Sequence, residues 1–242
     1  MRKYNYGSIL LILIVNAIIA GILQNIADGN LSFLSGFVAF IFDYIICRGL
    51  LYNREGSFSE YFRGIKTMTG KVFLMNILVG AITVILLTIA TLASGAGFLF
   101  FTEYAVNNPK VFISLIVLFA LVTIFTSLLF AYMNFFMADE RYRDLPFFDS
   151  LKLILKAGIK LFSESFMAGV KAYKITLLAG VIALATGILA IKTPMASILA
   201  FIFGVIAAIA FFFCTPPFRA SLSDIYMDRA EEIYNEVIGC ED

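Results

Sequence analysis

The sequence contains no histidine, only three cysteines and only 14% charged residues in 242. Without histidine the usual general base and the commonest metal ligand are missing together. Ser-His and Cys-His nucleophile systems are therefore excluded, and neither an H-E-x-x-H site nor a Cys/His metal cluster can be written. Cys47, Cys214 and Cys240 match no metal spacing and fall on the side where thiols stay reduced, so three free thiols are expected. A G-x-x-x-x-G-K-[ST] phosphate loop is also absent, as is the paired-aspartate pattern of lipid-headgroup transferases. Ser94 in "LASGAGF" has no base and no G-x-S-x-G context, and Gly95 and Gly97 there suit close helix packing. These absences leave no catalytic constellation and no cofactor site; the expectation is a protein that is not an enzyme.

What is present is apolar surface: 61% of residues are hydrophobic and the mean hydropathy is +0.95, which places the chain in a membrane. Six stretches, about 7–27, 31–52, 72–101, 111–137, 175–191 and 195–214, are apolar enough to cross roughly 30 Å of hydrocarbon, the fifth being short. No A-x-A site ends the first stretch, so it reads as an uncleaved span and not as a signal peptide. Of the 18 basic residues, 16 lie on the side of the two termini and only Lys110 and Lys192 lie opposite. The positive-inside rule then puts both termini in the cytoplasm. The fold class expected is an all-α integral membrane protein of the prokaryotic cell membrane, a single six-span domain over residues 1–242.

Three pseudo-repeats, about 1–71, 72–162 and 163–242, each give two spans followed by a cytoplasmic amphipathic segment: 56–71, 144–162 and 215–239. The middle one is expected to be a helix, with Phe147, Leu151, Ile154, Leu155, Gly158, Leu161 and Phe162 on one face and Pro146 at its first turn. Lys152, Lys156 and Lys160 recur every four residues beside that face. A basic amphipathic helix of this kind lies at the headgroup boundary with its lysines toward anionic lipid, or packs on the bundle. The last segment is acidic, with Arg219 and Arg229 against seven carboxylates. A solvated face is the default expectation for it, and docking on the basic stretch 141–174 is the alternative. In "ADERYRD" (138–144), Arg141 and Arg143 interleaved with acids suggest an ion-pair network at the water boundary.

Polar residues inside the spans are few: Asn16, Asp43, Thr83, Thr123, Thr126, Ser127 and Thr186. Asp43 in "AFIFDYIICRGLL" stands out, because a carboxylate at bilayer depth costs about 2.5–3.5 kcal/mol unless something faces it. It sits nine residues before Tyr52, roughly 13–14 Å from the cytoplasmic edge, and Asn16 reaches a similar depth in the first span. A structural contact between Asp43 and Asn16 is expected, with a proton-carrying Asp43 as the rival. Arg48, five residues on, is badly placed around the helix to pair with Asp43 and is expected to snorkel to the interface.

The stretches "REGSFSEYFRGIKTMTGKVFLMNIL", "LPFFDSLKLILKAGIKLF" and "TPPFRASLSDIYMD", each after an even-numbered span, resemble those of the YciC-like and glycerophosphodiesterase membrane-domain-like group of six-helix bacterial and archaeal proteins. The resemblance implies a helical membrane bundle. Where such a unit is fused to a phosphodiesterase domain, the metal and the catalysis belong to that domain. No such domain lies within these residues, so phosphodiesterase activity is not carried over. Two functions fit: association with anionic lipid or with another membrane protein through the amphipathic segments, or a transporter or permease subunit. For the second, "NREGSFSEYFRGIK" would be the segment coupling to a separate ATPase. Nothing points to nucleic acid.

Overall fold

The computed structural model describes residues 2–26, 32–93, 109–190 and 193–239, and among them it is helical with no strand. The elements are α1 (Tyr6–Asn25), α2 (Ser32–Tyr52), the short α3 (Phe58–Phe62) running into a 3-10 turn (Arg63–Thr67), and α4 (Gly70–Ala93). They are followed by α5 (Pro109–Leu129), the short α6 (Met133–Ala138), α7 (Phe147–Lys160), α8 (Phe162–Ala190) and α9 (Pro194–Val237). Among the described residues six helices are long and apolar enough to cross a membrane.

Helix starts follow local chemistry. The Asn5 side chain accepts the amide of Ser8 at the head of α1, and Ser57 with Glu60 forms a capping box at the head of α3. Pro194 opens α9, where a missing N–H costs nothing. The apolar run alone predicts a sixth span that ends at residue 214, before Pro216 and Pro217. The structure instead carries α9 through both prolines for 44 residues, about 66 Å at 1.5 Å per residue. Two prolines remove the N–H groups that would meet the Phe212 and Phe213 carbonyls but leave φ helical, and the hydroxyls beside them bond to other carbonyls of the same helix. Thr215 donates to the Phe211 carbonyl at 2.8 Å and Ser221 to that of Pro217 at 2.9 Å. Two further boundaries differ. The fifth span begins at Phe162, and the fourth breaks after Leu129 to restart as α6.

Packing is concentrated at one end. The buried core gathers residues 44–47 and Leu50 of α2, Tyr61, residues 132–138, Leu153 and Ile154 of α7, and Leu222, Tyr226 and Ile233 of α9. This end, which also holds Arg2 and Val237, is called the base below. Away from it apolar side chains lie exposed, among them Ile18, Ile22, Val84, Leu121, Val181 and Phe201, the surface expected of helices that face lipid. Along the bundle α1 packs on α2 and α9, α4 on α5, α5 on α8, and α8 on α9.

Glycine permits two close approaches in the base. A Cβ at Gly158 would fall inside the Leu129 carbonyl, and one at Gly49 inside the Tyr61 ring. In α7 the buried residues are Ser150, Leu153, Ile154, Ala157 and Gly158, with Leu151 and Leu155 half-buried at the rim. The face is thus turned toward its small residues, because those allow α7 to cross the end of α5.

Candidate functional site

Asp43 lines an open cavity of about 460 Å³ bordered by α1, α2, α4, α5, the 130–134 segment and one residue of α9. That residue is Arg219, whose Nη2 forms an ion pair with Asp43 Oδ1; each side chain is about a quarter exposed. Helical side chains lean toward the N-terminus of their helix, so Arg219 reaches up from the base into the cavity. The other carboxylate oxygen accepts from Asn134 Nδ2 at 2.6 Å. Asn76 Nδ2 donates in turn to Asn134 Oδ1 at 3.2 Å and to the Val72 carbonyl at 2.8 Å.

The expected Asp43–Asn16 contact is therefore not what satisfies Asp43. Both carboxylate oxygens are taken, one by Arg219 and the other by Asn134. Asn16 lines the same cavity, and its side-chain carbonyl is buried without a partner. Thr83, Thr123, Thr126 and Ser127 line it too, so six of the seven deep polar residues converge there; Thr186 instead donates to its own helix at Ile182. Thr83 and Thr126 give their hydroxyl hydrogens to the carbonyls of Val79 and Val122, leaving only lone pairs toward the cavity.

Arg219, Asn134 and Asn76 join the cavity without having been expected there from the sequence. Asn76 and Asn134 were visible as amides in apolar runs. Arg219 was hidden by the prolines before it, which read as the end of a span.

Arg48 lies in the base and does not face the cavity. It donates to the Ala138 carbonyl at 2.8 Å and to Glu140 at 2.7 Å, with its guanidinium over the Tyr52 ring. The 138–144 stretch does carry ion pairs. Asp139, almost fully buried, pairs with Arg141 at 2.8 Å and accepts the Tyr226 hydroxyl at 3.0 Å. Burial pushes the Asp139 carboxyl up, but the bonds and charge of Arg141 outweigh it and hold the group below the usual carboxylate range.

Lys152, Lys156 and Lys160, expected to face lipid headgroups, turn to carboxylates. Lys152 pairs with Asp149 at 3.5 Å, Lys156 with Glu236 at 3.8 Å, and Lys160 with Glu232 at 2.8 Å and also with Glu236. The acidic end of α9 thus docks along the basic stripe of α7 instead of being only solvated, and the bonds to Glu232 and Glu236 raise the Lys160 ammonium above its ordinary range. Further up α9, Asp224 and Asp228 hold Arg2 at 3.0 and 2.7 Å, and Tyr4 donates to Asp224 at 2.6 Å. Cys47 is buried and Cys214 partly so, both free; Cys240 and residues 27–31, 94–108 and 191–192 lie outside the described residues.

No family model, curated protein or solved structure matches this chain.

Proposed function

We propose that this is a multi-pass protein of a prokaryotic cell membrane that binds the polar group of a ligand within the bilayer, in the cavity of Asp43 and Arg219, without covalent chemistry. The observation that carries it is a complementary ion pair lining a 460 Å³ recess among membrane-length helices. Intramembrane charges are costly and tend to mark ligand or ion sites. The orientation belongs to the same reading. The excess of Lys and Arg lies at the base, so the base faces the cytoplasm with both termini. The plan of three helix pairs with charged cytoplasmic segments, and the likeness to the YciC-like group, are parts of the proposal that concern architecture. Lipid association belongs to this proposal too, with the cavity as its site in place of the lysine stripe, whose exposed lysines pair with Asp149, Glu232 and Glu236.

A filled cavity tests the proposal. Gly36 lines the recess, and a Cβ there meets nothing within 4 Å, so Gly36→Leu adds volume without a backbone clash. Native mass spectrometry from nanodiscs should show bound lipid or small molecule on the wild type and loss of it on Gly36→Leu. Equal retention would reject the cavity as the site. Transport is the second reading, favoured by the convergence of Asn16, Thr83, Thr123, Thr126 and Ser127 at one place. Its mark would be an ATPase that co-purifies through residues 53–66.

A further inference from the structure

The polar groups of the cavity divide unequally into those already used and those left over. Arg219 and Asn134 turn donors to Asp43, and Asn76 turns its amide to Asn134 and the Val72 carbonyl. The group in this lining that is buried with its hydrogen bond unmade is an acceptor. Asn16 Oδ1 is buried with no donor, and the Thr83 and Thr126 oxygens have committed their hydrogens to helix carbonyls. A buried acceptor left unmet is a lasting cost, and a ligand rich in N–H donors removes it. The charges add a second constraint. Asp43 and Arg219 compensate each other, so a lone cation would set two positive groups against one carboxylate, and a lone anion two negative groups against one guanidinium. A ligand carrying both signs avoids either conflict, because its anion can replace Asp43 at Arg219 while its cation replaces Arg219 at Asp43.

From these two constraints, and resting on the proposal that the cavity binds a ligand, we infer that the ligand is a zwitterion with a primary ammonium and a phosphate or carboxylate. The ammonium sits between Asp43 and the Asn16 carbonyl, and the anionic group sits on Arg219. Two sources share this chemistry, an ethanolamine phospholipid headgroup and a free zwitterion from the cytoplasm. A quaternary ammonium has no N–H for Asn16 and should be rejected, since a site built to hydrogen-bond discriminates strongly against an analogue lacking the group.

The test places the full chain in nanodiscs of phosphatidylglycerol doped equally with phosphatidylethanolamine or phosphatidylcholine, and separately adds phosphoethanolamine or glycine in solution; native mass spectrometry reads the bound species. The expected result is retention of the ethanolamine lipid, or of a free zwitterion, at least tenfold above phosphatidylcholine and phosphatidylglycerol. That preference should fall tenfold in Asn16→Leu, which deletes the unpartnered carbonyl and breaks no bond to Asp43. Thr83→Val, nearly isosteric, should lower it in the same direction if Asn16→Leu does not fold. Preferential retention of the ethanolamine lipid identifies the bilayer as the source, and of the free compound the cytoplasm; both support the inference. Preference for phosphatidylglycerol, or equal retention of the choline lipid, overturns it while leaving the cavity as the binding site provided Gly36→Leu abolishes that retention. Retention of nothing that depends on Gly36 overturns the inference and the proposed function together.

Discussion

Asp139 shows how much one buried carboxylate can organise. It receives Tyr226 and Arg141, and it sits where the base closes over residues 132–142. Replacing it with Ala leaves the Tyr226 hydroxyl and the Arg141 guanidinium without their acceptor and should cost about 1–3 kcal/mol, seen as a lower thermal midpoint in detergent. Its pH dependence has a definite sign. Because the folded state holds this carboxyl below its ordinary range, its contribution is complete above the unfolded pKa and is lost as pH falls through the folded one. The gap in midpoint between wild type and Asp139→Asn should therefore close on acidification, and a gap that is constant down to the acid limit would contradict this account. Gly158 allows a second expectation at this scale. Gly158→Ala pushes a methyl into the Leu129 carbonyl and should destabilise by about 1–3 kcal/mol, the cost of overpacking.

At the scale of elements, α7 and the end of α9 are joined by exposed ion pairs, each of which contributes little in water and is screened by salt. Reversing both lysines, Lys156→Glu with Lys160→Glu, should speed amide exchange in residues 230–237, and adding Glu232→Lys and Glu236→Lys should slow it again. Recovery absent from the fourfold variant would show that apolar packing alone seats the tail. How far these elements were legible in the sequence depended on range. The amphipathic period of α7 was readable because it is local; the rotation of its buried face was not, since it depends on the end of α5 that Gly158 meets. The Asp43 anomaly and five of its polar neighbours were readable as exceptions in apolar runs. The partner was not readable, because Pro216 and Pro217 suggest a stop and only the continued helix carries Arg219 into line with Asp43.

For the whole molecule, the proposed orientation is open to single-cysteine labelling in a background without Cys47, Cys214 and Cys240. Glu55→Cys and Asp228→Cys should react with an impermeant maleimide only after the cells are permeabilised, and the exposed Met195→Cys at the far end should react in intact cells. Labelling of position 228 from outside would reverse the assignment of sides.

The pairing of Asp43 with Arg219 also sets an order of events during synthesis. Asp43 enters the bilayer with the second long helix, and its counter-charge is made only with the last. At 5–20 residues per second the interval is on the order of ten to thirty seconds. During that time the nascent chain carries an uncompensated acid that insertion machinery, water or a lipid headgroup must shelter. The synthesis of Arg219 is then what compensates it. A ribosome-released fragment ending before Arg219 would keep the exposed acid, a feature by which membrane quality control could tell an unfinished copy from a finished one.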